Sequence, residues 1–246
     1  MMSDCNEKFK NTEYLKNVFL EHCDEKYKSF HASLVPELNS FYGVRIPDLR
    51  KIAKEISKEN AVDFLENYPI SKESFYEEKV VFGLVCATAK IDDDKRKAYL
   101  KKFIPLIDNW AVCDVVVSSM KFLKKNADKW KNFIFYYADK SEFEKRFFIV
   151  STMSYYANDM YIDEILHIYV ENNDENYYVN MAVAWSLATI YLKYPQKVLD
   201  IVENSKLNKF TTLKTISKLC ESYRVDESDK VYLKSLREKM KSQSVE

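Results

Sequence analysis

The sequence is short of residues that interrupt regular structure. Across 246 residues it has 2 glycines and 5 prolines, far fewer than a strand-rich chain of this length spends on its turns. That argues against sandwiches and barrels and for helices joined by short polar loops. Net charge is missing too, because 38 Lys and Arg offset 38 Asp and Glu, so no overall field marks a nucleic-acid or membrane partner. The cysteines, at positions 5, 23, 86, 113 and 220, are odd in number and form no C-x-x-C pair. They fit reduced thiols in a cytoplasm rather than a disulfide framework or a zinc site. His22, His31 and His167 are scattered, with no acid at ligand spacing, and no metal is expected. Met1 to Lys10 lacks the apolar run of a signal peptide. The longest uncharged run, Asn176 to Leu192, has 17 residues and contains Asn180 and Ser186. It is at the short limit for a membrane span and reads as a buried helix of a soluble protein.

Helical periodicity is what the sequence has in quantity. Tyr14, Leu15, Val18 and Phe19 mark a first helix ending near His22. Residues 30–46 hold Pro36 and Gly43, and Pro47 then fits the first turn of a helix with Leu49, Ile52, Ala53 and Ile56 facing inward. Further helices are expected at 60–67, 72–90, 93–103, 109–123, 127–138, 141–157, 160–171, 174–192, 195–204, 208–222 and 227–241. No linker or low-complexity segment separates them, so a single domain over 1–246 is expected. Tyr76, Trp110, Phe143 and Tyr178 each open a long apolar helix, at intervals of 34, 33 and 35 residues, and another such step reaches Leu213. A second, shorter helix fits within each interval. Two helices at this period describe an all-α, HEAT-like or TPR-like solenoid with a concave face.

Counting each long helix from its aromatic residue gives a register. Position +3 holds Lys79, Cys113, Arg146 and Met181; +4 holds Val80, Asp114, Phe147 and Ala182; +7 holds Gly83, Val117, Val150 and Trp185. Offsets of 0, +3, +4 and +7 share one helical face. Trp110, Asp114, Arg146 and Trp185 are therefore candidates for a common functional surface. A carboxylate beside an indole in an apolar stretch needs a partner or a purpose. Two bland readings stand beside that one. Asp114 and Arg146 can form a structural ion pair, and tryptophans are commonly core residues, as Trp130, outside the register, is expected to be. Cys113, flanked by apolar residues, reads as inert.

At these residues the sequence resembles the AlkD-like DNA glycosylases, the HEAT-like-repeat proteins of DNA alkylation repair. The resemblance runs from about Gly43 to Leu219. It includes Gly43-Val44 with Pro47 and Arg50, the Trp110-x-x-x-Asp114 pair, Arg146 in Phe143-Glu144-Lys145-Arg146, and Trp185 in Ala182-Val183-Ala184-Trp185. It implies a right-handed superhelical solenoid that acts as a monomer, without a cofactor, on double-stranded DNA containing alkylated bases. The implied reaction is excision of N3-methyladenine and N7-methylguanine, with Asp114 catalytic and Trp110 and Trp185 against the lesion. Arg146 and Lys145 would hold the DNA backbone. Ala188, Thr212, Leu213, Leu34 and Pro36 depart from the family pattern, each where relatives carry a basic or aromatic residue. Two other classes stay open: a non-catalytic binder of damaged or branched DNA, and a protein-interaction scaffold. Charge is uneven, with 8 Lys and Arg against 4 Asp and Glu in residues 121–146, 10 against 5 in 205–241, but 2 against 8 in 159–203. Such runs are commonly solvated helix faces.

Overall fold

The computed structural model describes residues 11–36, 38, 40–171, 176–204 and 206–242. The readings of Met1–Lys10 and of Cys5 lie outside these. Among the described residues the chain is helical apart from one isolated bridge between Cys23 and Val44. It divides into two compact units, Met1–Phe133 and Ile134–Glu246. The first contains α1 (Thr12–Glu21), α2 (Glu25–Leu34), α3 (Ile46–Asn67), α4 (Tyr76–Thr88), α5 (Asp93–Phe103), α6 (Trp110–Ser119) and most of α7 (Leu123–Phe135). The second contains α8 (Glu142–Tyr155), α9 (Ile162–Glu171), α10 (Tyr177–Tyr191), α11 (Pro195–Glu203), α12 (Lys209–Glu221) and α13 (Glu227–Ser242).

Local chemistry sets the helix starts. Asn11, Asp24, Asp92, Asn109 and Asn208 each accept a backbone N–H from the first turn of the helix that follows, meeting amides that have no partner within the helix. Asn60 breaks α3 with φ −161° and ψ 80° and accepts from Asp63 N at 3.2 Å. The separate helix expected from residue 60 is thus visible as a new start. α2 was not expected. Its stretch, Glu25-Lys26-Tyr27-Lys28-Ser29-Phe30-His31, is too polar for a periodicity search, yet His31 is buried against Tyr76, with ring centroids 4.8 Å apart.

Within the first unit α4 packs on α3, α5 and α6; within the second α10 packs on α8, α11 and α12, and α13 packs on α12. The long helices at the repeat period are thus the ones that stack within each unit: α4 on α6, and α8 on α10. That is the layered packing of an α-solenoid. In α4 only Glu78 and Thr88 escape burial. Its Gly83 lets two neighbours approach, because a Cβ there would lie 2.5 Å from both Phe103 Cζ and Val116 Cγ2.

Candidate functional site

The site begins with what holds the start of α6. Lys79 is 2% exposed, and its ammonium donates to Asp108 Oδ2 and to Lys72 O, each at 2.6 Å. Asp108 Oδ1 accepts from Asn109 Nδ2 at 2.8 Å, and Asn109 Oδ1 accepts from Val112 N at 3.0 Å. This relay runs from the buried interior of α4 to the cap of α6 and so sets where Trp110 and Asp114 point. Trp110 Nε1 adds a bond of 3.3 Å to Leu34 O at the end of α2. The neighbouring turn is held by Glu77, a fully buried carboxylate that accepts from Tyr42 N at 3.0 Å, Gly43 N at 2.8 Å and Val44 N at 3.2 Å. Burial raises the Glu77 carboxyl above its ordinary value, and the three backbone donors work against that shift.

On α6 the accessible residues form one stripe: Trp110, Asp114 with Val115, and Ser118. Their spacing of four keeps them on one face, and the rest of the helix is buried. Trp110 and Asp114 are therefore presented together, as their spacing predicts. On α10 the accessible stripe is Tyr178, Met181, Trp185, Ala188 and Thr189, with Trp185 38% exposed. The two stripes follow different registers. Position +4 is accessible at Asp114 but buried at Ala182, while +7 is buried at Val117 but accessible at Trp185. Arg146 on α8 is 6% exposed and donates from Nη1 to Tyr178 O at 2.9 Å; Lys145 beside it is half-buried.

From the sequence no role is assigned to Glu77, Asp108 or Asn109, and Lys79 has only a place in the helical register. The available signal was a pair of charges, Glu77 and Lys79, in the first turn of a helix otherwise bound for the core, since buried charges are rare unless paired. One histidine reading is corrected. His167 Nε2 lies 3.2 Å from Glu171 Oε1, one turn along α9, on an exposed face. Trp130 and Cys113 are fully buried. Among the described residues no group of three or more His, Cys, Asp or Glu could hold a metal ion, and no helix is long and apolar enough to cross a membrane.

The family described as DNA alkylation repair enzyme matches residues 14–219. The chain belongs to this family. The match reaches from α1 into α12 and takes in the Glu77-held turn, the α6 stripe, Arg146 and Trp185. Membership makes the chain an enzyme of DNA repair with DNA as its substrate. No curated protein matches the sequence.

Proposed function

We propose that the protein is an alkylpurine DNA glycosylase that hydrolyses the N-glycosidic bond of cationic N3-methyladenine and N7-methylguanine in duplex DNA. The observation that carries this reading is the α6 stripe, where Trp110 and Asp114 share the one accessible face of a helix whose cap is fixed from within the core. An alkylated purine already bears positive charge, so its bond to the sugar is weakened. As that bond breaks, its electron pair leaves with the base and the sugar becomes oxocarbenium-like. A preorganised carboxylate stabilises that charge, and Asp114 also orients the water whose oxygen bonds to C1′. The water's proton passes to solvent, and the products are a free base and an abasic sugar. Trp110 and Trp185 offer indole faces to the cationic nucleotide, and Arg146 and Lys145 serve the flanking backbone. Because Arg146 is buried and bonded to Tyr178 O, its contribution includes holding the first turn of α10. We assign the enzyme to the cytoplasm, acting as a monomer over the single domain 1–246 and without a cofactor or metal.

The test is release of methylated bases from methylated duplex DNA under single-turnover conditions. Asp114→Asn is expected to slow release by about 100-fold or more. Undiminished release by that variant would remove Asp114 from the chemistry. No release by wild type, beside an active control glycosylase, would select a non-catalytic binder of damaged or branched DNA.

A further inference from the structure

The α6 stripe continues past Asp114 to Ser118, and there it meets a cation from another helix. Arg50, exposed on α3, donates from Nη1 to Ser119 Oγ at 2.7 Å and reaches Ser118 Oγ from Nη2 at 3.5 Å. Both serine hydroxyls donate their own protons to Val115 O at 2.8 Å, so what they offer the guanidinium is lone pairs. Arg50 is thus oriented by neutral acceptors, and among the described residues no carboxylate pairs with it. A guanidinium has five N–H donors in a fixed fork, most of which these two contacts leave available.

The chain then adds positive charge. Lys121, on the turn into α7, and Lys124 and Lys125, in its first turn, are exposed; Lys121 N donates to Ser119 O at 2.8 Å and Lys124 N to Lys121 O at 3.2 Å. None of the three pairs with a carboxylate among the described residues. Some cations elsewhere are matched at close range, as in Lys129–Asp93 at 2.7 Å, Lys197–Asp163 at 2.5 Å and Lys206–Asp200 at 2.5 Å. In a chain of zero net charge, three lysines without carboxylate partners beside a held guanidinium are complementary to a linear polyanion.

We propose that Arg50, Lys121, Lys124 and Lys125 form a binding site for the phosphodiester backbone of DNA. Ser118 and Ser119 hold the arginine fork, about one helical turn beyond Asp114. Arg50 grips one phosphate in the bidentate geometry that suits guanidinium, and the lysines follow the strand away from the reacting nucleotide. The site would supply phosphate contacts that Thr212, Leu213 and Ala188 do not. It rests on the family's DNA substrate and on Asp114 as the reaction centre, but not on the identity of the excised base.

The experiment is fluorescence anisotropy of an unmodified duplex oligonucleotide with the full chain, titrated at several potassium chloride concentrations. For wild type, log K falls with log salt by about 0.9 per phosphate neutralised. The triple variant Lys121→Ala, Lys124→Ala, Lys125→Ala is expected to lower that slope by about 2 to 3. Arg50→Ala should weaken binding about tenfold, the size of one good charge-assisted contact. Arg50→Lys should keep the slope while losing affinity, which a purely structural arginine would not produce. Should Arg50→Ala lower the urea midpoint, the lysine variant, confined to exposed side chains, decides. Wild-type affinity and slope in the triple variant and in Arg50→Lys would overturn the site. Base release measured in parallel separates the two readings. Release by wild type with unaltered binding by the variants sinks only the backbone site. Weakened variants without any release by wild type sink only the glycosylase.

Discussion

Gly43 has φ +95°, and a Cβ there would lie 2.6 Å from Lys28 Cβ and 3.2 Å from Asp24 O. Gly43→Ala combines that clash with a left-handed backbone and is expected to cost about 1–3 kcal/mol, read from the urea midpoint. Glu77 fastens the same turn with two oxygens and three donors. In Glu77→Gln an amide NH2 must face a backbone N–H, so a loss of about 1–3 kcal/mol is expected; an unchanged midpoint would mean the turn holds itself. His31 supplies a pH dependence. It is stacked beside Tyr27, with ring centroids 5.4 Å apart, and tilted against Tyr76, its Nε2 has no hydrogen-bond partner among the described residues, and burial lowers its pKa below the ordinary 6.5. The unfolded chain therefore takes up this proton first as pH falls. Stability is at its full value above about 6.5 and declines as pH drops through the folded pKa. Replacing His31 with Phe should remove that decline, as followed by urea midpoints across pH 5 to 8.

At the scale of elements, α6 is a short helix whose position depends on others. Its cap, Asn109, is 3% exposed, and Asn109→Ala is expected to cost about 1 kcal/mol by removing the bond to Val112 N. Because the cap sets the first turn, the same variant should slow base release more than it weakens DNA binding. Equal losses in both would show that α6 is placed by packing alone. Gly83→Ala tests that packing from the other side, since the new methyl would press on Phe103 and Val116 together. Relief by small residues at either contact, as in Gly83→Ala with Val116→Ala, would be seen as a partly restored midpoint.

For the whole molecule, stacked helices interact mainly with their neighbours, so stability is distributed layer by layer. Glu77→Gln should then lower amide-exchange protection in the first unit more than in α10 and α12 of the second. A uniform loss would mean that the chain unfolds as one cooperative block. Balanced charge has a consequence at this scale as well. With 38 charges of each sign, the protein has no net charge to draw DNA in, so its salt dependence is expected to come from local groups such as Arg50 and Lys121.

Helices and their order were legible along the chain because a buried stripe recurs every 3.6 residues, whatever packs against it. The repeat period and the pairing of Trp110 with Asp114 followed from the same rule, which is local. α2 was not legible, because its few apolar side chains become a core contact only when Tyr76 arrives from another helix. Nor was the inward turn of Arg146, which depends on a carbonyl 32 residues away. The bond from Lys79 to Asp108 and the meeting of Arg50 with Ser119 span 29 and 69 residues. Spacing along one helix specifies which residues share a face. Which face is left to solvent, and which charges find partners across it, depends on the neighbouring helices that cover it.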